Sequence, residues 1–466
     1  MKHKLVETEK PNLLEDTFPH TTVPLIKFDG PIYEEINGQL IKFDPQELKS
    51  RPLWISDTTF RDGQQARPPY TPEQIRDIYR LLGKLSGPNG VINQSEFFLY
   101  SKSDQKAVEL CLAENQKYPE VTGWIRGLQD DINYLKMMKS MGIKETGLLT
   151  SCSDYHIFIK LRKDRRKIFD EYMSMVDAAL ELGIRPRCHL EDVTRADIYG
   201  FVVPFVEALM EKSEGLPEEL KIKIRLCDTM GFGVNYPGVE LPRSVPKLVY
   251  VMTREAGVPS ERLEWHGHND FHRVLVNGAT AWLYGCGILN STLFGIGERT
   301  GNPPLEGAVI EYAALKHTFN GMNPRVITEL AEYFEKIGVP IPDNYPFVGK
   351  NFNTTRAGIH ADGLRKDERV YNIFDTEKLL GRPPKVLITD KSGTPGVLKW
   401  VNDFLGLKGS EQLKLSKITK IARWVHDQYN VHGRTTAISE AELEEQIRIH
   451  LPEEYRKWRE RTGKKA

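Results

Sequence analysis

The clearest chemical signal is the segment Trp265–Asp270 (WHGHND), in which two histidines are separated by one residue. Residues two positions apart on a β-strand point to the same side, so the imidazoles of His266 and His268 would face the same space. Two imidazoles and a carboxylate suit a divalent metal that keeps positions open for substrate oxygens. A pair of polar loop histidines is the alternative interpretation. A carboxylate from elsewhere in the fold, such as Asp62, favours the metal site.

A second signal is the segment Thr59–Gln65 (TFRDGQQ), in which an arginine directly precedes an aspartate. Because an arginine in a protein does not lose its proton, Arg61 would be a permanent positive charge beside a metal-binding Asp62. Such a charge can hold an enolate or alkoxide oxygen during a reaction. The alternative is an ion pair between these two residues that only stabilises the end of a strand.

The third segment is the glycine-rich Gly295–Asn302 (GIGERTGN). Glycines let backbone amides approach a ligand closely. The segment lacks the lysine of a P-loop and the glycine spacing of a Rossmann fold. As a bare pattern it therefore predicts a ligand-contacting loop without naming the ligand.

Eight segments have the length and composition of short strands that end in polar residues. They are residues 53–63, 91–100, 120–127, 145–154, 185–192, 222–231, 262–270 and 288–299. The intervening segments, such as 71–85 and 166–183, carry apolar residues at helical spacing. Strands that alternate with helices are parallel and joined by right-handed crossovers, and eight such units over about 250 residues predict a (β/α)8 TIM barrel. A doubly wound open sheet is the alternative topology, but it would not explain polar residues at every strand end.

The polar residues of this chain fall at the predicted carboxyl ends of the strands, where the active site of a TIM barrel lies. In strand order they are Arg61 and Asp62, Glu96, Arg126, Ser153 and His156, His189 and Glu191, Asp228 and Thr229, His266 and His268, and Glu298 and Asn302. The predicted fold would therefore gather these side chains in one place.

The rest of the chain divides into predicted parts around the barrel. Residues 1–50 form an N-terminal arm, 51–320 the catalytic TIM barrel, 321–395 a small linker subdomain, and 396–466 a mostly helical C-terminal region. The strand rhythm stops after the barrel, and the later segments are polar or carry helical spacing.

Composition excludes several classes of function. The 64 Lys and Arg residues equal the 64 Asp and Glu residues in number, so no basic excess matches a nucleic acid or an anionic membrane surface. No apolar run approaches the ~20 residues that span a bilayer, and the N-terminus does not read as a secretory signal. The five cysteines are widely spaced with no CxxC pair, so we expect neither a disulfide framework nor a cysteine zinc site. The expected location is the cytoplasm.

Taken together, the motifs resemble those of the DRE-TIM metallolyase family over about residues 50–385. The matching segments are Phe60–Gln65, Glu191–Arg195, Asp228–Thr229, His266–Asp270, Gly297–Asn302 and, after the barrel, Ala357–Ala361 followed by Tyr371. The segment after the barrel is typical of the acyl-transferring members and not of the lyases. Within the family the chain is most similar to the Re-citrate synthases, on the aromatic segment after Glu96, on Asp154–His156 and on Phe271–Arg273.

The resemblance implies roles for individual residues. The metal ligands would be Asp62, His266, His268 and Asn302, the catalytic groups Arg61, Glu191, His360 and Tyr371, the substrate contacts Gln65, Glu96, Arg126, His156, Thr229 and Arg273, and the CoA contacts Gly295, Gly297 and Glu298. The metal would be Mn2+, with Co2+, Mg2+ and Zn2+ as alternatives that accept the same mixed ligands. In the family, the segment that contains His360 reaches the active site of the other subunit, which implies a homodimer with a shared site.

The implied reaction joins acetyl-CoA to a 2-oxo acid, with oxaloacetate favoured, and then hydrolyses the thioester to give citrate and CoA. The second carboxylate of oxaloacetate needs a cation, and the candidates are Arg126, His156, His272 and Arg273. Homocitrate synthase and 2-isopropylmalate or citramalate synthase are alternatives that differ in substrate. A lyase of the hydroxymethylglutaryl-CoA type would leave His360 unexplained. A catalytically silent CoA- or metal-binding regulator would have no reason to keep the full set of motifs.

Overall fold

The computed structural model describes residues 8–463, and its largest feature is a closed barrel of eight parallel strands. A hairpin of β1 (Ile32–Ile36) and β2 (Gln39–Phe43) precedes it. The barrel strands are β3 (Trp54–Asp57), β4 (Ile92–Phe97), β5 (Glu120–Arg126), β6 (Glu145–Ser151), β7 (Arg185–Glu191), β8 (Lys223–Asp228), β9 (Leu263–Gly267) and β10 (Ile288–Ser291). Strand β10 pairs with both β9 and β3, which closes the barrel and confirms the predicted (β/α)8 fold. A short parallel pair, β11 (Thr354–Thr355) and β12 (Lys385–Val386), lies outside it.

Helices connect the barrel strands and make up most of the chain after the barrel. They are α1 (Glu47–Ser50), α2 (Asp62–Gln65), α3 (Pro72–Ser86), α4 (Lys102–Ala113), α5 (Ile132–Met141), α6 (Arg165–Glu181), α7 (Val203–Glu214), α8 (Val245–Tyr250), α9 (Val274–Tyr284), α10 (Leu305–Lys316), α11 (Val326–Lys336), α12 (Gly358–Lys366), α13 (Thr376–Leu380), α14 (Gly393–Leu405), α15 (Thr419–Asn430), α16 (Glu440–His450) and α17 (Pro452–Thr462). Among residues 8–463, every helix is too short or too polar to cross a bilayer.

Local sequence sets the ends of these helices, as α3 illustrates. The Thr71 side chain accepts a hydrogen bond from the backbone N–H of Gln74, and the Gln74 side chain accepts one from the backbone N–H of Thr71. This capping box satisfies two backbone donors, and Pro72 at the first helical position needs no acceptor. The helix predicted at residues 71–85 therefore begins at Pro72, directly after its capping residue Thr71.

The strand register brings the predicted site residues level at one end of the barrel. Ser151 on β6 pairs with Glu191 on β7, Glu191 with Cys227 on β8, and Cys227 with His266 on β9. Helix α2 begins with Asp62 soon after β3, two strands from β9 around the closed barrel. Asp62 and His266 thus reach the same rim although they are 204 positions apart in the chain.

The barrel interior carries charged side chains at positions that Val, Ile and Leu usually fill in this fold. The buried acids are Glu96, Glu145 and Glu264, and the buried bases are Arg187, Lys223 and Arg225. Arg187 donates hydrogen bonds to Glu96 at 2.6 Å and to Glu145 at 2.9 Å. Three acids thus face three bases, and none of these six charges is left without a partner.

Contacts divide the chain into two compact units, and their boundaries differ from the predicted ones. One unit is residues 25–340. It includes part of the predicted arm because Phe43 of the hairpin packs on Tyr284, with ring centroids 4.5 Å apart. It also includes α11, predicted to belong to the linker subdomain, because Phe334 packs on Phe294 at 4.8 Å.

The other unit contains residues 341–463 and, from the start of the described chain, residues 8–24. Its core joins the predicted linker subdomain to the predicted C-terminal region. The core residues include Ala361, Val386, Ile388, Val397, Val401, Leu405, Ile421, Ile447 and Trp458. Because side chains from both predicted parts share one hydrophobic cluster, they form a single unit.

The close packing of the barrel interior makes a testable prediction at Gly147 on β6. A Cβ atom there would lie 2.6 Å from the His189 ring and 3.0 Å from a carboxylate oxygen of Glu96. Because both neighbours are buried, G147A should lower the free energy of unfolding by about 1–3 kcal/mol. At Gly215 nothing lies within 4 Å of the added methyl group, so G215A is the matched control. Thermal denaturation of both variants checks this, and an equal shift in Tm would contradict it.

Candidate metal centre and active site

Asp62, His266 and His268 converge at the carboxyl end of the barrel, as predicted from their spacing. Their potential ligand atoms all lie within 4.8 Å of one another. The Nε2 atoms of the two histidines are 3.2 Å apart, and Asp62 Oδ2 lies 3.5 Å from His266 Nε2 and 3.8 Å from His268 Nε2. Ligands about 2.1 Å from an octahedral ion and at right angles lie about 3 Å apart. The three atoms therefore face a common point at a separation that suits one cation.

Two buried polar atoms beside this cluster have no hydrogen-bond partner among residues 8–463, which is a second observation that bears on metal binding. They are Asn302 Oδ1 and His268 Nδ1. Asn302 Oδ1 would lie only 1.8 Å from a Cβ atom at Gly297, so glycine is required there for the amide to sit beside Asp62. Buried polar atoms are normally paired. An amide oxygen with an unused lone pair next to the cluster fits the predicted fourth ligand.

The protonation states at the cluster also suit metal binding. Burial lowers the pKa values of both His266 and His268, so the imidazoles are neutral and carry lone pairs. Burial opposes ionisation of Asp62, but the charge of Arg61 and a hydrogen bond from the backbone N–H of Glu298 hold its pKa below the usual value. Metal ligands must be deprotonated. The residues present thus fit a divalent cation.

Arg61 is held in place beside this cluster. Its Nε donates to Glu96 at 3.0 Å and its Nη1 to Asp62 at 3.1 Å, and the guanidinium carbon lies 5.3 Å from the Trp124 ring centroid. Its Nη2 donates to none of the residues that the structure describes. The arrangement leaves one fixed, positively charged donor for a substrate oxygen.

Glu96 was predicted as a substrate contact, but its carboxylate is surrounded by cations of the protein. Besides Arg61, it accepts hydrogen bonds from Arg225 at 3.0 Å and from Arg187 at 2.6 Å. Burial would raise its pKa, but these guanidinium groups hold the pKa well below its usual range. The geometry gives Glu96 the task of orienting Arg61.

Glu191 lies in a second polar cluster at the same rim. It accepts hydrogen bonds from His156 Nδ1 at 2.9 Å, from Lys160 Nζ at 2.9 and 3.1 Å, and from the Ser151 hydroxyl. Burial alone would raise its pKa, but the His156 hydrogen bond and the Lys160 charge lower it to about 2. Lys160, which the sequence interpretation did not include, is thus a direct partner of a predicted catalytic residue.

The other predicted substrate contacts differ in the hydrogen bonds that they already make within the protein. Arg126 is bound to buried Asp131 through Nη2 at 2.6 Å and Nε at 3.2 Å. The Thr229 hydroxyl accepts from the Asp192 backbone N–H at 2.8 Å. Gln65 is exposed at the end of α2.

Arg273 directly precedes α9 at the carboxyl end of the barrel, and the Phe271 and Tyr236 ring centroids lie 5.6 and 5.7 Å from its guanidinium carbon. Among residues 8–463 no carboxylate pairs with it. Arg273 is therefore a cation near the rim that contacts aromatic rings and that no described carboxylate neutralises.

The glycine-rich loop holds the metal cluster together. The backbone N–H of Glu298, a residue that we predict to contact CoA, donates to Asp62 at 3.0 Å. The backbone N–H of Asn302 donates to the Gly295 carbonyl at 3.0 Å. The described hydrogen bonds of this loop therefore position two of the predicted metal ligands.

His360 and Tyr371 lie in the other unit and are brought together there. His360 is on α12, Tyr371 follows it, and their ring centroids are 4.4 Å apart. Both side chains are exposed.

Comparison with known proteins agrees with this geometry. The profile of the HMGL-like family matches residues 53–333. The chain belongs to this family. The match confirms the resemblance to the DRE-TIM metallolyases, and it spans all eight barrel strands and ends within α11.

Curated relatives extend over the full chain. A "Citrate (Re)-synthase" of Syntrophus aciditrophicus is 51% identical over 468 residues, covering 100% of this chain and 72% of the relative. A "Citrate (Re)-synthase" of Clostridium kluyveri is 50% identical over 464 residues, covering 99% and 98%. A "2-phosphinomethylmalate synthase" of Streptomyces hygroscopicus is 36% identical over 443 residues, covering 94% and 96%.

The buried charges beneath the HMGL-like site were missed by the sequence interpretation. On β7 and β8 the charged residues stand at alternate positions, Arg185, Arg187 and His189 on one strand and Lys223 and Arg225 on the next. Period-two alternation places residues on one face of a strand. In a barrel that face can be the interior, so this pattern was the signal that could have found them.

The metal cluster predicts that His268 is needed for cation binding. We expect H268A to weaken Mn2+ binding at least ~100-fold, beyond the 10- to 100-fold that loss of an outer-shell partner costs. Exposed His272, four residues later on the same loop, provides the control H272A, which should bind Mn2+ like the unaltered protein. Titration calorimetry measures both. Unchanged affinity in H268A would exclude this cluster as the metal site.

Proposed function

We propose that this chain is a metal-dependent citrate (Re)-synthase that joins acetyl-CoA to oxaloacetate and releases citrate and CoA. The observation that carries the proposal is the convergence of two neutral imidazoles and a carboxylate beside the fixed charge of Arg61. Such a site can hold the oxygens of a 2-oxo acid and a developing oxyanion. Oxaloacetate as the acceptor is supported by identity of at least 50% with two citrate (Re)-synthases over 99% or more of this chain.

Asp62, His266, His268 and Asn302 would hold the cation, and Mn2+ is the metal we propose. When bound, such a cation polarises the carbonyl group of the 2-oxo acid. The free Nη2 of Arg61 would donate to the oxygen on which negative charge develops. Because Glu96 and Asp62 already orient this guanidinium, little reorganisation is needed as the charge forms.

We propose Glu191 as an orienting group in proton transfer and not as the first proton acceptor. A carboxylate whose pKa is lowered to about 2 by His156 and Lys160 is a weak base at neutral pH. Its hydrogen bond with Nδ1 of His156 fixes the orientation of that ring. A substrate that drew Lys160 away would raise the basicity of Glu191.

His360 and Tyr371 complete the proposed proton chain, and we propose that a second copy of the chain covers them. Enolate chemistry requires exclusion of water, whereas both side chains are exposed in one copy. Exposed apolar neighbours surround them, including Ile359, Val370 and Ile373. This surface supports a homodimer in which His360 and Tyr371 of one copy complete the barrel site of the other.

We propose the cytoplasm as the location of the enzyme. All five cysteines are free and buried in the barrel unit. Burial raises the pKa values of their thiols, for example to about 12 for Cys188, which keeps them protonated and unreactive. Reduced thiols are typical of cytosolic proteins.

Release of the CoA thiol from acetyl-CoA, assayed without oxygen, tests the proposed activity. The 2-oxo acids to compare are oxaloacetate, 2-oxoglutarate, 2-oxoisovalerate and pyruvate, each with Mn2+ or with EDTA. We expect Mn2+-dependent release that is highest with oxaloacetate, and isotopic labelling of the product to show Re-face addition. Preference for another 2-oxo acid would contradict the proposed substrate, and release that EDTA does not affect would contradict the metal.

Arg273 is the cation that we propose for the second carboxylate of oxaloacetate, because Arg126 is already bound to Asp131. Loss of a charge-assisted hydrogen bond costs about 1.5–3 kcal/mol, so R273A should raise KM for oxaloacetate roughly 10- to 100-fold. R126A should change KM little, since Tyr100 and the Arg126 backbone N–H still donate to Asp131. Steady-state kinetics on folded variants decide between the two, and a larger effect in R126A would reverse the assignment.

A further inference from the structure

A chain of buried hydrogen bonds leads away from the metal ligand His266 into the barrel interior. His266 Nδ1–H donates to Asn290 Oδ1 at 2.8 Å, and Asn290 Nδ2 donates to the Ser56 hydroxyl at 2.8 Å. That hydroxyl in turn donates to Glu264. The amide of Asn290 thus has one orientation that satisfies both neighbours. It fixes the proton of His266 on Nδ1 and leaves the Nε2 lone pair facing the cluster.

From Glu264 the chain returns to the other side of the same cluster. Arg225 donates to Glu264 from Nε at 2.8 Å and from Nη2 at 3.1 Å, and its Nη1 donates to Glu96 at 3.0 Å. Glu96 also holds Arg61, which donates to Asp62. The hydrogen bonds therefore run from one proposed metal ligand, His266, to another, Asp62. These two side chains lie 3.5 Å apart, which closes the hydrogen bonds into a ring.

The stability of the fold does not explain why the ion pair Arg225–Glu264 lies in this ring. Both side chains are fully buried, and an ion pair in such a place costs desolvation that well-packed apolar residues would avoid. TIM barrels commonly fill this layer with branched apolar residues. Glu264 lies two positions before His266 on β9, so its side chain lies on the same face directly beneath that ligand. The position of the pair points to the site above it.

We infer that Glu264 and Arg225 are positioning residues, which orient His266 through Asn290 and Ser56 and orient Arg61 through Glu96. The inference rests on the proposed function, since it assigns these residues to a metal-dependent site. Loss of the Glu264 charge would leave Arg225 and Arg187 to compete with Arg61 for Glu96. The same loss would weaken the acceptor that holds the Ser56 hydroxyl. Both the metal ligand and the catalytic cation would then be less well oriented.

The test compares E264Q with E145Q. Both substitutions remove a buried carboxylate charge on a barrel strand, and both carboxylates contact Arg187, at 3.4 Å and 2.9 Å. Glu145, however, pairs with Lys223 and lies outside the ring. Three quantities are measured on each full-length variant: Tm without metal, Mn2+ affinity from the electron paramagnetic resonance signal of free Mn2+, and kcat with KM for oxaloacetate.

We expect similar losses of Tm in the two variants. Only E264Q should bind Mn2+ roughly 10- to 100-fold more weakly and lose kcat, with a smaller change in KM. Equal Mn2+ affinity in the two variants would overturn the inference. S56A interrupts the same ring with a smaller change and should also weaken Mn2+ binding, so the inference can be contradicted even if E264Q does not fold. Failure of the unaltered protein to use oxaloacetate would contradict the proposed substrate, while the Mn2+ comparison would still decide the positioning roles.

Discussion

Charged side chains buried in the barrel interior need partners, and this requirement shapes both the barrel and the site at its rim. A single carboxylate, Glu96, accepts hydrogen bonds from Arg61, Arg187 and Arg225. Unpaired, any of these charges would carry a large desolvation penalty. Because each is paired in a specific geometry, the interior is rigid where an apolar core could repack. The active-site arginine is thereby anchored to the barrel and not to a mobile loop.

Two kinds of structural element position the candidate metal ligands above these buried charges. Strand β9 supplies His266, and His268 directly follows that strand, whereas the loop after β10 supplies Asn302 and the backbone N–H of Glu298 that holds Asp62. The loop depends on the absence of a side chain at Gly297, where a Cβ atom would overlap Asn302. Rigid strands and one glycine-dependent loop together place four candidate ligands around one point.

The polar side chains at the rim differ in whether protein partners already occupy their hydrogen-bonding groups. Arg126 forms a two-point ion pair with buried Asp131, and the Glu96 carboxylate accepts hydrogen bonds from three arginines. Within residues 8–463, neither Arg273 nor the Nη2 of Arg61 pairs with a carboxylate. A group that already makes its charge-assisted hydrogen bonds has little left to offer a substrate, whereas an unsatisfied one can add binding energy without breaking a bond. This difference, and not residue type, is the basis of our proposal that Arg273 binds the second carboxylate of the substrate.

Local patterns in the sequence were enough to predict the barrel, the positions of its strand ends and the three converging candidate metal ligands. Periodicity and strand alternation act over a few residues, so Asp62, His266 and His268 could be named before the fold was known. Only the tertiary structure decided which charges meet across the barrel, such as Glu264 with Arg225 and Arg126 with Asp131. It also joined the predicted linker subdomain and C-terminal region through one core. Such partners come from segments that are far apart in the sequence. Their pairing therefore produces no periodic pattern of residues from which it could be predicted.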